Sequence, residues 1–132
     1  MIDYICTNRL REDDARKIFK SVGWDVPCSK SEFFDENQLQ ICAYKDQELV
    51  GFISGFVRRL DSKGDVAYVS FVCVLPQYQC LGIRHELINR FKNEHKDKVL
   101  YFIVSSYAGA DAFYKKCGFI YDEESRLMIA KI

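Results

Sequence analysis

Apolar residues recur along this chain with two different spacings. Ala15, Ile18, Phe19 and Val22 return at three- and four-residue steps, the stripe of an amphipathic helix, and Gly23 should stop it. Ile83, Leu87, Ile88 and Phe91 share a helical face in the same way, which predicts a helix reaching about Lys96. A shorter helix is expected over Gly109 to Lys116, closed by Gly118. Ser31 with Glu32 to Glu36 offers a capping hydroxyl and early acidic residues, so another short helix should begin after Ser29 or Ser31. Elsewhere the period is two. Ile2 to Cys6 reads as a short strand. Leu39, Ile41 and Ala43 alternate with other residues, Lys45-Asp46-Gln47-Glu48 makes a turn, and Leu49 to Val57 runs apolar, which together predict a hairpin. After a second turn at Asp61 to Asp65, Val66 to Leu75 is apolar on both alternating faces, as a strand in the middle of a covered sheet is. Val99 to Val104 reads as a compact buried strand, and Leu127 to Ile132 as a last strand after a turn at Asp122 to Ser125.

A length of 132 residues suits one domain over 1–132, and 48% hydrophobic against 29% charged residues excludes a disordered or collagen-like chain. Lys plus Arg and Asp plus Glu both number 19, so no net field draws nucleic acid or an anionic membrane, and neither is expected as a partner. No apolar run approaches the ~20 residues of a membrane span, and Met1 to Tyr4 carries no basic leader, so a cytoplasmic location is expected. The six cysteines, Cys6, Cys28, Cys42, Cys73, Cys80 and Cys117, show no paired spacing and read as reduced core thiols. No Cys-x-x-Cys exists, and His85 and His95 stand too far apart for a one-face ligand pair, so no metal site is expected. Gly51-Phe-Ile-Ser-Gly55 has the wrong spacing for a nucleophile elbow, and neither glycine-rich nucleotide motif occurs. Serine hydrolase, nucleoside triphosphatase and Rossmann chemistry are thereby excluded.

The most informative stretch runs from Val72 to Leu87, where a buried strand meets a turn and then a helix whose first amides have no internal partners. Those amides and the positive end of the helix dipole can hold a phosphate, and Gly82 lets the backbone approach it. Spacing alone equally allows a plain tight turn. Cys80, near a helix start and Arg84, is either a reactive thiol or an incidental loop cysteine.

Read as Pro76-x-Tyr78-Gln79-x-x-Gly82-Ile83-x-x-x-Leu87, this stretch resembles the coenzyme-binding signature of the GNAT superfamily of N-acetyltransferases, whose core is Gln/Arg-x-x-Gly-x-Gly/Ala. Ala112-Phe113-Tyr114-Lys115-Lys116-Cys117-Gly118-Phe119 is similar to the helix and turn that close the same fold. Glu48-Leu49-Val50-Gly51-Phe52 resembles the strand before its coenzyme strand, so the likeness covers nearly the whole chain.

The resemblance implies an α+β fold: a mixed, mostly antiparallel sheet flanked by helices, with the strand matching Val66 to Leu75 splayed from that matching Val99 to Val104. It implies direct acetyl transfer from acetyl-CoA, the cosubstrate, to an amine without an acyl-enzyme. The coenzyme-binding residues it implies are Val72, Cys73 and Val74 on the strand, Gln79, Cys80, Leu81, Gly82, Ile83 and Arg84 in the loop, and Tyr107 and Tyr114. The Val74 N–H would hold the thioester carbonyl, the amides from Gln79 to Arg84 the pyrophosphate, and Tyr114 would protonate the departing thiolate. The acceptor is expected to be a small-molecule amine, with Trp24, Phe33 and Phe34 either in the region covering it or ordinary core, and the protein a monomer or homodimer.

The chain departs from the pattern in four places. Arg84 replaces Gly or Ala, Cys80 stands where Gly is frequent, and Tyr107 replaces the Asn common seven residues before the tyrosine. The strand Val66 to Leu75 has no carboxylate, which leaves the general base unassigned. Arg84 could bind a phosphate or obstruct it. These departures keep a second reading open, a GNAT-fold module that binds coenzyme or protein without catalysis.

Overall fold

The computed structural model describes residues 1–7, 10–24, 38–106, 109–126 and 128–131. Their elements run β1 (Asp3–Thr7), α1 (Glu12–Ser21), β2 (Gln38–Lys45), β3 (Glu48–Asp61), β4 (Gly64–Val74), a 3-10 turn (Pro76–Tyr78), α2 (Ile83–His95), β5 (Phe102–Val104) and α3 (Asp111–Lys116). The strands form one sheet in chain order, β1-β2-β3-β4-β5. The first four are antiparallel and β5 joins β4 in parallel, the mixed and mostly antiparallel sheet expected. The expected hairpin turns at Asp46 and Gln47, both left-handed at φ 49° and 70°, a pair whose twist matches the flanking strands.

Phe52 and Gly55 stand at opposite parity on β3 and so face opposite sides of the sheet. On the first side lies α1, whose Ala15, Ile18 and Phe19 are buried. Phe19 meets Phe52 edge-on at 5.4 Å and Phe71 at 5.1 Å. Trp24 stacks on Phe19 at 5.9 Å with a large part of its surface in solvent, so it serves as a lid on this core. On the second side, α2 buries Ile83, Leu87, Ile88, Phe91 and His95. Phe91 lies directly over Gly55, where a Cβ would come within 2.5 Å of its ring and 2.3 Å of the Tyr68 carbonyl. Gly55 is thus required by close approach.

Several expectations change. The buried strand expected over Val99 to Val104 shortens to β5, although Leu100 N–H still donates to the Asp65 carbonyl at 2.8 Å. The final strand expected over Leu127 to Ile132 does not form in residues 128–131, where Met128 and Ile129 are 89% and 71% exposed. Apolar residues make a strand only when an edge pairs with them, and no such pairing reaches these residues. The cysteines are not all core thiols, since Cys6 and Cys80 are exposed while Cys42, Cys73 and Cys117 are buried. Burial pushes the Cys42 and Cys73 thiols up to about 12, so these two remain protonated and inert. The short helix expected after Ser29 or Ser31, with Cys28, Phe33 and Phe34, lies outside the described residues. No helix among the described residues is long and apolar enough to cross a membrane.

His95 closes α2 against Phe91 at 4.7 Å, and neither of its buried ring nitrogens has a hydrogen-bond partner among the described residues. Burial first, then Lys98, holds its pKa below the ordinary histidine value, with Glu94 opposing. The unfolded chain therefore takes up this proton at a higher pH than the folded one, and stability falls as pH drops through the ordinary value of about 6.5. Between about pH 7.5 and pH 5.5 the melting temperature should decrease, and His95→Leu should flatten that decrease. An equal slope in the variant would assign the acid sensitivity to other groups.

Candidate active site

One extra residue in β4 organises the site. Gly55 pairs with Val69 while its neighbour Ser54 pairs with Phe71, which leaves Ser70 as a bulge. Because backbone groups alternate sides along a strand, the bulge switches which residues face which neighbour. Before it, Ala67 donates its N–H to the Tyr101 carbonyl on the β5 side at 3.2 Å. After it, Leu75 donates to the Val50 carbonyl of β3 at 2.8 Å, so Cys73 and Phe71 also turn toward β3. Val72 and Val74 then present their N–H groups to the opposite edge. Among the described residues that edge is open, because β4 pairs with β5 only through Ala67, Tyr68 and Val69. Cys73, between the two, points its thiol at the Ile18 carbonyl on the α1 side.

Beyond the open edge the chain reverses sharply. Tyr78 N–H donates to the Leu75 carbonyl at 2.9 Å and Gln79 N–H to the Pro76 carbonyl at 3.3 Å. The Gln79 side chain donates to the Val74 carbonyl at 3.0 Å, so Gln79 braces the turn and its own amide is taken. Cys80 and Gly82 are both left-handed, at φ 64° and 83°. Gly82 caps α2 without any side-chain hydrogen bond, and the first helical bond runs from Glu86 N–H to its carbonyl at 3.0 Å. The amides of Ile83, Arg84 and His85 therefore lead outward from the helix start, where partial positive charge collects. A Cβ on Gly82 would meet nothing within 4 Å, so the space beside it is open and the glycine answers to backbone geometry. Leu81 is 68% exposed, and Cys80 is exposed beside it.

Tyr114 sits half-buried on α3, with its ring 5.1 Å from Phe113 and 5.7 Å from Phe119. Gly118, at φ 91°, ends the helix by donating its N–H to Lys115, and Phe119 N–H returns to the Tyr114 carbonyl, the closure expected of that glycine. The Arg84 guanidinium lies 3.8 Å over the Phe113 ring, a contact the sequence did not signal. Two further unforeseen groups anchor the start of α3, for the hydroxyls of Ser106 and Tyr121 both donate to the Asp111 carboxylate. These bonds, Ser106 first, hold the Asp111 carboxyl below the usual range. Tyr107 lies outside the described residues.

The geometry supplies an unpaired strand edge, an anion-attracting helix start and a phenol on a neighbouring helix. The family model described as acetyltransferase (GNAT) family matches residues 7–119. No curated protein sequence matches the chain. Among solved structures, an acetyltransferase of Trypanosoma brucei superposes with a TM-score of 0.80 at 18% identity, covering 100% of both chains. Glucosamine-6-phosphate N-acetyltransferase from Arabidopsis thaliana reaches 0.71 at 15% identity, covering 98% of both. AAC(6')-Iy, solved in complex with the bisubstrate analogue CoA-S-monomethyl-acetylneamine, reaches 0.77 at 15% identity over 100% of this chain and 98% of its own. At such identities the likeness is one of fold.

A side chain at Gly82 would be strained by the left-handed backbone without any clash. Gly82→Ala should therefore lose about 1 kcal/mol in urea unfolding, and Gly82→Asn less, because Asn tolerates that region. Equal losses would point to a contact instead of a dihedral.

Proposed function

Because the chain belongs to the GNAT acetyltransferase family, we propose that it transfers an acetyl group from acetyl-CoA directly to the nitrogen of a small amine. The observation that carries this reading is the continuity of the open β4 edge with the uncapped start of α2. Such a surface suits an elongated ligand with hydrogen-bonding carbonyls along one part and an anionic group at one end. The N–H groups of Val72 and Val74 would donate to carbonyl oxygens of the extended arm, with the thioester oxygen on Val74. The amides of Ile83, Arg84 and His85, together with the open space at Gly82, would receive the pyrophosphate.

In the reaction a neutral amine attacks the thioester carbon, a C–N bond forms and the C–S bond breaks. Val74 N–H is fixed by the strand and donates to the oxygen on which negative charge collects, with no reorganisation needed at that moment. Tyr114 gives its proton to the thiolate and regains one from solvent, to which the attacking nitrogen releases its own. Holding both partners in place supplies the rest of the acceleration. The names of the Arabidopsis enzyme and of the ligand on AAC(6')-Iy point to small amine acceptors for those proteins, which supports the same class here. Balanced charge, 19 basic against 19 acidic residues, argues against a polyanionic partner. Arg84 does not crowd the space at Gly82, because its guanidinium lies on Phe113, and this favours catalysis over the non-catalytic module.

Acetyl-CoA at ~100 times its dissociation constant should stabilise the protein by ~2.7 kcal/mol, read as a rise in melting temperature. No rise at millimolar coenzyme would favour the module. Once an amine has been found by screening for released thiol, Tyr114→Phe should lower kcat by about 10² or more while coenzyme affinity is preserved. Turnover within about threefold of the parent would reduce Tyr114 to a packing residue.

A further inference from the structure

The short helix α3 buries none of its six residues fully. A helix of that length does not hold itself in water, so its position is set by what it touches. Besides the Ser106 and Tyr121 hydroxyls on Asp111, its partners come from α2. Arg84 stacks on Phe113 at 3.8 Å, and His85 Nδ1 lies 3.4 Å from Cys117 Sγ. Lys92 Nζ donates to the Cys117 carbonyl at 2.8 Å and stands 5.6 Å from the Phe119 ring. A chain of rings then runs from Phe113 through Tyr114 to Phe119, with a cation at each end. Arg84 occupies the first turn of α2, where a cation opposes the helix dipole, so its placement calls for a compensating partner. The face of Phe113 provides one.

We infer that Arg84 is a positioning residue that holds α3, the helix that carries Tyr114, at a fixed place beside the start of α2. Its side chain acts through Phe113 and not on phosphate. The planar guanidinium matters, because an ammonium cannot stack flat on the ring. The catalytic consequence rests on the acetyl-transfer reading, whereas the mechanical one rests only on the contacts.

The test compares the full-length protein with Arg84→Ala, Arg84→Lys, Phe113→Leu and the double variant Arg84→Ala/Phe113→Leu. Hydrogen exchange is followed at the amides of Tyr114, Cys117, Gly118 and Phe119, all bonded within or at the end of α3. Each single change should speed their exchange about tenfold, and the double variant should be no faster than either single one. With an acceptor, kcat should fall about tenfold in Arg84→Ala and less in Arg84→Lys, while acetyl-CoA affinity stays within about twofold. Unchanged exchange in α3, or additive effects in the double variant, would overturn the inference. So would a tenfold loss of coenzyme affinity at constant kcat, which would make Arg84 a phosphate ligand. A wild-type protein that neither binds acetyl-CoA nor turns over would remove the acetyl-transfer reading, and the exchange experiment would still decide the role of Arg84.

Discussion

The bulge at Ser70 is the constraint from which the rest of the site follows. Without it, the backbone groups of Val72 and Val74 would point into β3, and the edge beyond β5 would present a different set of residues. With it, the ladder to β3 continues to Leu75 while β5 has already stopped at Val104. A sheet normally hides unpaired edges, because they are sticky and costly to bury. Here the unpaired segment ends at a helix start with no side-chain cap, so two sets of amides without partners among the described residues come together at one place. Polar backbone left without partners at adjoining positions is how a fold prepares to bind a ligand rich in acceptors.

Much of this is legible in the amino-acid sequence itself. Pro76 and Gly82 mark the end of one element and the start of another by local rules that depend on few neighbours, and both behave as those rules require. Gly118 likewise closes its helix. The hydrophobic stripe of α2 was readable because its period is internal to the helix.

What escaped was whatever depends on register or on contacts between elements. A bulge changes pairing by one residue and leaves the run Val66 to Leu75 looking like any buried strand. The role of Cys73 turned on that parity, and Gln79 proved to brace the turn with its own groups engaged. Arg84 was readable as a departure from the family pattern, but its partner Phe113 lies on another helix, beyond the reach of spacing arguments. The last strand is absent from residues 128–131 for the same reason. Leu127 to Ile132 has a fitting composition, yet a strand is a relation between two segments, and Met128 and Ile129 stand exposed.

The missing side chain at Gly55 also sets a distance far from itself. Phe91 seats against that bare backbone and so fixes how deeply α2 sinks onto the sheet. From Phe91 to Ile83 the helix extends eight residues, about 12 Å, as a rigid arm. Phe91 is the fulcrum of that arm, and its far end carries the outward amides. Any thickening at the fulcrum would tilt the start of α2 away from the β4 edge, so the alignment of the helix start with that edge is gauged by a hydrogen atom on the opposite side of the strand from α1.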